Sequence, residues 1–153
     1  MFAAAGCSGV SSFIQSGNIL FTASNNLAKK VPGLVSAAID KQFGFQTRLV
    51  LRTSGQMRQV AASNPFLTPG VEEKLLSVMF LADSPDPLDV EKLDPQRSPP
   101  DVFRVIGNEI FLYTPTGLAD TKLTNAYFDS RLKTICTSRN WRTTRKLLEL
   151  MEG

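Results

Sequence analysis

Apolar and polar residues first organise in 11–21, where Phe13-Ile14 and Ile19-Leu20-Phe21 flank the polar corner Gln15-Ser16-Gly17-Asn18. Two short apolar arms around a Gly-Asn pair predict a β-hairpin, because Gly and Asn tolerate the positive φ that such turns need. Leu27, Val31, Leu34, Val35, Ala38, Ile39 and Phe43 then recur at spacings of three and four. That period predicts an amphipathic helix over 27–43, capped by Asn25 or Asn26 and closed by Gly44. Alternation in Thr47-Arg48-Leu49-Val50-Leu51-Arg52 predicts a strand, after which Thr53 or Ser54 caps a short helix that Asn64-Pro65 ends.

The second half repeats the mixture. The apolar stretch 75–82 has the length and composition of a buried strand, and 83–101 is Pro-rich and acidic, with six Asp/Glu against Lys92 and Arg97. It predicts a solvated loop with a short helix at 87–93. Strands at 102–106 and 109–113 meet at Gly107-Asn108, a second hairpin signal. Helices are predicted over 120–132 and 143–151, with a short segment around Ile135-Cys136 between them. The order is β-β-α-β, then α-β-α-β-β-α, then a terminal helix. The first block is a split β-α-β-β-α-β unit without its opening β-α.

Composition narrows the chemistry. At 153 residues with 42% hydrophobic and 20% charged content, the chain belongs with soluble globular proteins, and its longest apolar run is far short of a membrane span. Although Ala4-Ala5-Gly6-Cys7 resembles the end of a lipoprotein signal, no basic segment and no apolar stretch precede it. Two cysteines, Cys7 and Cys136, fit a reducing compartment, so a cytoplasmic location and no membrane partner are expected. Histidine is absent, which removes the usual general base and most transition-metal sites; no metal is expected and no cofactor is identified. Residues 1–121 hold ten Lys/Arg against eleven Asp/Glu, whereas 122–153 hold seven against three, so the linear charge excess sits at the C-terminus.

Three stretches carry candidate contacts. Gln15, Ser16, Gly17 and Asn18 combine two carboxamides, a hydroxyl and an accessible backbone, although a hairpin turn accounts for the Gly-Asn pair by itself. In Thr121-Lys122-Leu123-Thr124-Asn125, Lys122, Thr124 and Asn125 stand where helix amides could hold an anion, against the plainer reading of a capped amphipathic helix. Arg139, Asn140 and Trp141 open the stretch that also holds Arg142, Arg145 and Lys146, with the single Trp either a stacking wall or an anchor for the last helix.

Together, "FIQSGNILF", "FGFQTRLVLRTSGQMRQVAASNPF", "FRVIGNEIFLYTPTGLADTKLTNAYFD" and "TSRNWRTTRKLLEL" closely resemble the bacterial domain of unknown function 1697 (DUF1697) family over nearly the whole chain. The resemblance implies an α+β fold of two ferredoxin-like (split βαβ) subdomains packed together, here over 1–63 and 64–153. The first lacks its opening β-α and the second ends in a basic C-terminal helix. Members of the family begin with a strand and an Arg-Gly-Ile-Asn-Val-Gly-Gly type loop that this chain does not contain, which implies an N-terminally truncated member. Gln15, Ser16, Gly17, Asn18, Lys122, Thr124, Asn125, Arg139, Asn140 and Trp141 match the family's recurring motifs and imply one shared surface.

No activity follows from the resemblance. The expected function is a binding module for an anionic partner, a phosphate-bearing small ligand or nucleotide. Single-stranded nucleic acid held by the basic C-terminal segment is the less favoured alternative, because no strand carries the aromatic pair of an RNA-recognition sheet. A third reading is an enzyme whose site needs the absent Gly-rich loop and is inactive here.

Overall fold

Strand β1 (Ser8–Ser12) and strand β2 (Ile19–Thr22) pair antiparallel, Ser12 opposite Ile19, with a register irregularity between Ser8 and Ser11. The computed structural model describes residues 1–13 and 17–153, so the candidate contacts Gln15 and Ser16 lie outside the described residues. Helix α1 (Asn25–Phe43) follows, and its first turn is capped by the Ser24 hydroxyl, which accepts from the Leu27 amide. Neither Asn25 nor Asn26 is the cap, because both already lie inside the helix. Gly44 closes α1 at φ +74, in the left-handed region where a side chain would be strained.

A two-stranded sheet is marginal alone, so this hairpin depends on what it packs against. Val31 and Val35 of α1 bury with Cys7 while Phe2, Phe21, Leu27, Ile39 and Leu49 close around them, the Phe2 and Phe21 rings 5.3 Å apart. The stretch 47–52, expected as a strand, forms none among the described residues. Its alternation correctly marks Leu49 as an inward residue, but a strand also needs a ladder, and the Thr47 carbonyl is taken by the Ser36 hydroxyl of α1.

The chain divides into two compact units, Met1–Leu51 and Arg52–Gly153. The second unit opens with α2 (Ser54–Ser63), which carries a full capping box: the Thr53 hydroxyl accepts from the Gln56 amide and the Gln56 carboxamide accepts from the Thr53 amide. A 3-10 turn (Glu73–Leu75) leads into β3 (Leu76–Leu81), all six residues of which are buried. Next come α3 (Pro87–Glu91), β4 (Val102–Ile106), β5 (Glu109–Tyr113), α4 (Asn125–Leu132), β6 (Cys136–Asn140) and α5 (Trp141–Glu152).

The four strands form an antiparallel sheet in the order β4-β5-β3-β6, and β3 through β6 run β-α-β-β-α-β. Gly107, at φ +60, makes the tight β4–β5 turn. Cross-strand neighbours share a face, so Met79, Leu81, Ile110, Leu112 and Cys136 turn together toward Tyr127, Phe128 and Leu132 of α4. Val78, Phe80 and Phe111 occupy the opposite face, in register with Arg139 and Thr137. The architecture is therefore mixed α and β, with two small antiparallel sheets and five α-helices among the described residues, the last at the C-terminus. No helix is long and apolar enough to cross a membrane.

Three sequence expectations need correction in this unit. Helix α4 starts at Asn125 and not near 120, because Thr121 and Thr124 each turn a hydroxyl onto the backbone, at Leu123 and Tyr127. The segment around Ile135-Cys136 is the entrance to a five-residue strand; Cys-Thr-Ser-Arg-Asn has no apolar alternation, and its ladder to β3 is what makes it a strand. The acidic loop is not wholly solvated: Leu93, Ser98 and Asp101 are buried.

Candidate functional site

Of the expected contact residues, Gly17 and Asn18 belong to the first unit and the remaining six to the second. Gly17 takes φ +82, and Asn18 is buried, donating its side-chain nitrogen to the Phe13 carbonyl at 3.1 Å. The Phe13 amide reaches the Asn18 carbonyl at 3.0 Å, so residues 13 and 18 bond to each other in both directions.

Lys122, Thr124 and Asn125 gather before and at the start of α4, where each has a structural bond. The Lys122 amide donates to the Ser98 hydroxyl at 3.0 Å and its carbonyl accepts from Arg97 at 2.9 Å, while its side chain is exposed. Thr124 is the N-cap of α4. Asn125 donates to the Cys136 carbonyl, and Asp129, one turn on, accepts from the Cys136 amide at 2.8 Å. Residues one turn apart on a helix share a face, so α4 clamps the start of β6.

Arg139, Asn140 and Trp141 stand at the other end of β6. Arg139 is half-buried, and its guanidinium donates to the Thr137 hydroxyl at 2.8 Å and to the Ser138 carbonyl at 2.7 Å. Burial lowers its pKa from the ordinary arginine value. Asn140 is exposed and caps α5, accepting from the Thr143 amide at 2.7 Å. Trp141 is the first residue of α5 and only 1% exposed. Arg139 shares a sheet face with Val78, whereas α4 packs on the face of Met79 and Leu81. The sheet itself thus separates Arg139 from Lys122, Thr124 and Asn125, and the candidates of this unit form two groups.

Charge is redistributed by folding. Within Met1–Leu51 the charged side chains are Lys29, Lys30, Lys41 and Arg48 against Asp40, or +3, whereas Arg52–Gly153 holds thirteen of each sign. Arg145 of α5 is held by both oxygens of Glu73 at 2.7 and 2.8 Å, Lys146 by Glu149, and Arg58 of α2 pairs with Glu152. Lys133, Arg145 and Lys146 of the basic C-terminal segment therefore hold carboxylates once folded.

Two groups escaped the sequence reading. Ser98 donates to Asp101 at 2.9 Å and lies 3.5 Å from the Thr121 hydroxyl, making a polar cluster behind Lys122; the hydroxyl and carboxylate three residues apart around Pro99-Pro100 were the available signal. Arg97 lies 4.0 Å over the Tyr127 ring, a contact between residues thirty apart that no local pattern announces.

Cys136 is a buried free cysteine. Burial, followed by the hydrogen bond and the negative charge of Asp129, pushes its thiol from 9.0 up to about 12. The thiolate is the reactive species, so native protein at pH 8 should react with an aromatic disulfide reagent at neither buried cysteine until denaturant is added. The folded state keeps a proton that the unfolded thiol loses, so stability should fall as pH rises from about 9 toward 12. Urea titrations of Cys136→Ala should lack that fall; an equal fall in both proteins would overturn the assignment.

A family model described as "Protein of unknown function (DUF1697)" matches residues 1–111. No curated protein and no solved structure matches the chain.

Proposed function

We propose that this chain, which belongs to the DUF1697 family of proteins of unknown function, is a binding module for a phosphate-bearing small ligand at the junction of β6 and α5. The observation carrying this reading is the placement of the half-buried Arg139 guanidinium one residue before the N-cap of a twelve-residue helix. A partly desolvated guanidinium attracts an anion more strongly than one in water, and the positive end of a helix adds to the same field. Arg142, exposed in the first turn of α5, supplies a second cation. Asn18, Lys122, Thr124 and Asn125 are given structural roles. The same reading takes the second unit as ferredoxin-like, supported by its β-α-β-β-α-β order and antiparallel sheet.

Thermal shift and calorimetry with AMP, ADP and pyrophosphate test the proposal. Arg139→Gln should weaken the binding of whichever ligand stabilises the protein by about tenfold or more, the worth of one charge-assisted hydrogen bond. No stabilisation by any of the three would sink it. Single-stranded nucleic acid is less supported, because Arg145 and Lys146 already hold carboxylates.

A further inference from the structure

Helix α1 has more apolar surface than its own unit covers. One stripe, Leu27, Val31, Val35 and Ile39, faces the core of the first unit. A second stripe holds Lys30, Leu34, Ala38 and Lys41, at the spacings i, i+4, i+8 and i+11 that keep residues on one side of a helix. Leu34 is 48% exposed at its centre. An open groove of about 630 Å³ has Ala4, Ala5, Leu34, Ala38 and Lys41 among its lining residues.

The form of the groove selects among occupants. A small-molecule pocket encloses most of its ligand, and this one is more open than enclosed. Small side chains such as Ala4, Ala5 and Ala38 let another backbone approach closely, as helix-to-helix packing requires. Lys30 and Lys41 are eleven residues apart, about 16 Å along the axis, or three turns of an apposed helix. None of the lining residues carries a carboxylate, and the unit's four Lys/Arg stand against Asp40 alone.

We infer that the second stripe of α1 is a docking surface for an acidic amphipathic helix of a partner protein. The partner's apolar residues, recurring every three to four positions, lie over Leu34 and Ala38, and flanking Glu or Asp side chains meet Lys30 and Lys41. This surface is independent of the β6–α5 junction, and each can fail without the other.

A displayed library of 14-residue helices tests it, with Leu or Ala fixed at amphipathic spacing and Glu or Lys allowed at every flanking position, selected against the intact chain. The expected result is enrichment of Glu over Lys. A selected peptide should bind saturably by fluorescence anisotropy, lose about fivefold in affinity for each of Lys30→Glu and Lys41→Glu, and lose binding with Leu34→Glu. All three positions are exposed, so unchanged circular dichroism should accompany these losses. No enrichment, enrichment of Lys, or binding indifferent to Leu34→Glu would overturn the inference. So would binding to phosphatidylglycerol vesicles without binding to any selected helix, which would assign the surface to a membrane.

Discussion

Arg52→Ala should lower the unfolding free energy by about 3–5 kcal/mol, the usual consequence of removing one partner of a buried ion pair. The Arg52 guanidinium reaches Glu109 at 3.0 and 2.8 Å, the Leu81 carbonyl at 2.9 Å and the Asn108 carbonyl at 2.9 Å. The two side chains are only 11% and 15% exposed, so little water is available to replace the lost bonds. One residue thereby ties the start of the second unit to the end of β3 and to the β4–β5 turn, and its plane lies 5.5 Å over the Phe80 ring. Alanine strands the Glu109 carboxylate and takes a donor from two carbonyls, of which that of Asn108 keeps the Leu81 amide at 2.9 Å. Lysine keeps the charge but not the planar fork, so Arg52→Lys should fall between wild type and alanine in urea unfolding. A loss below about 1 kcal/mol for Arg52→Ala would place the pair among ordinary surface ion pairs.

Trp141→Ala should cost a similar amount, about 3–5 kcal/mol, because it empties the space of a large side chain that is almost wholly buried. The companion Trp141→Phe separates packing from hydrogen bonding. The indole Nε1 has no hydrogen-bond partner among the described residues, so phenylalanine sacrifices volume but no bond and should cost under about 1.5 kcal/mol. Far-UV circular dichroism must follow both variants, since Trp141 is the chain's single tryptophan and its fluorescence disappears with it. A stacking wall for a ligand would give the opposite result for Trp141→Ala: binding lost and the unfolding midpoint unmoved.

The two residues differ in how far the sequence announced them. By sequence the single Trp is a stacking wall or a helix anchor, and the burial of Trp141 at the first turn of α5 supports the anchor. Arg52 is, by sequence, only the last residue of an alternating stretch. Its partner lies 57 residues away, and charge pairing at that separation leaves no local trace. The same distinction explains the misplaced elements. Thr121 and Thr124 are both plausible caps by residue type, and Thr124 is the one that caps because Ser98 and Arg97 engage the backbone of Lys122 outside the helix.

The sequence by itself determined the helices, β3 and the β4–β5 hairpin, since period, cap residues and glycines at positive φ act within a few positions along the chain. It also determined the absence of histidine chemistry. Only the tertiary structure decided that Cys136–Asn140 is a strand, that 47–52 forms none among the described residues, and that Arg139 and Asn125 look to opposite faces of one sheet. It likewise decided where the charge lies, because Glu73 returns to Arg145 across 72 residues. Ladder partners, sheet faces and ion pairs are relations between distant segments, and a strand or a cation takes its role from the neighbour that folding brings to it.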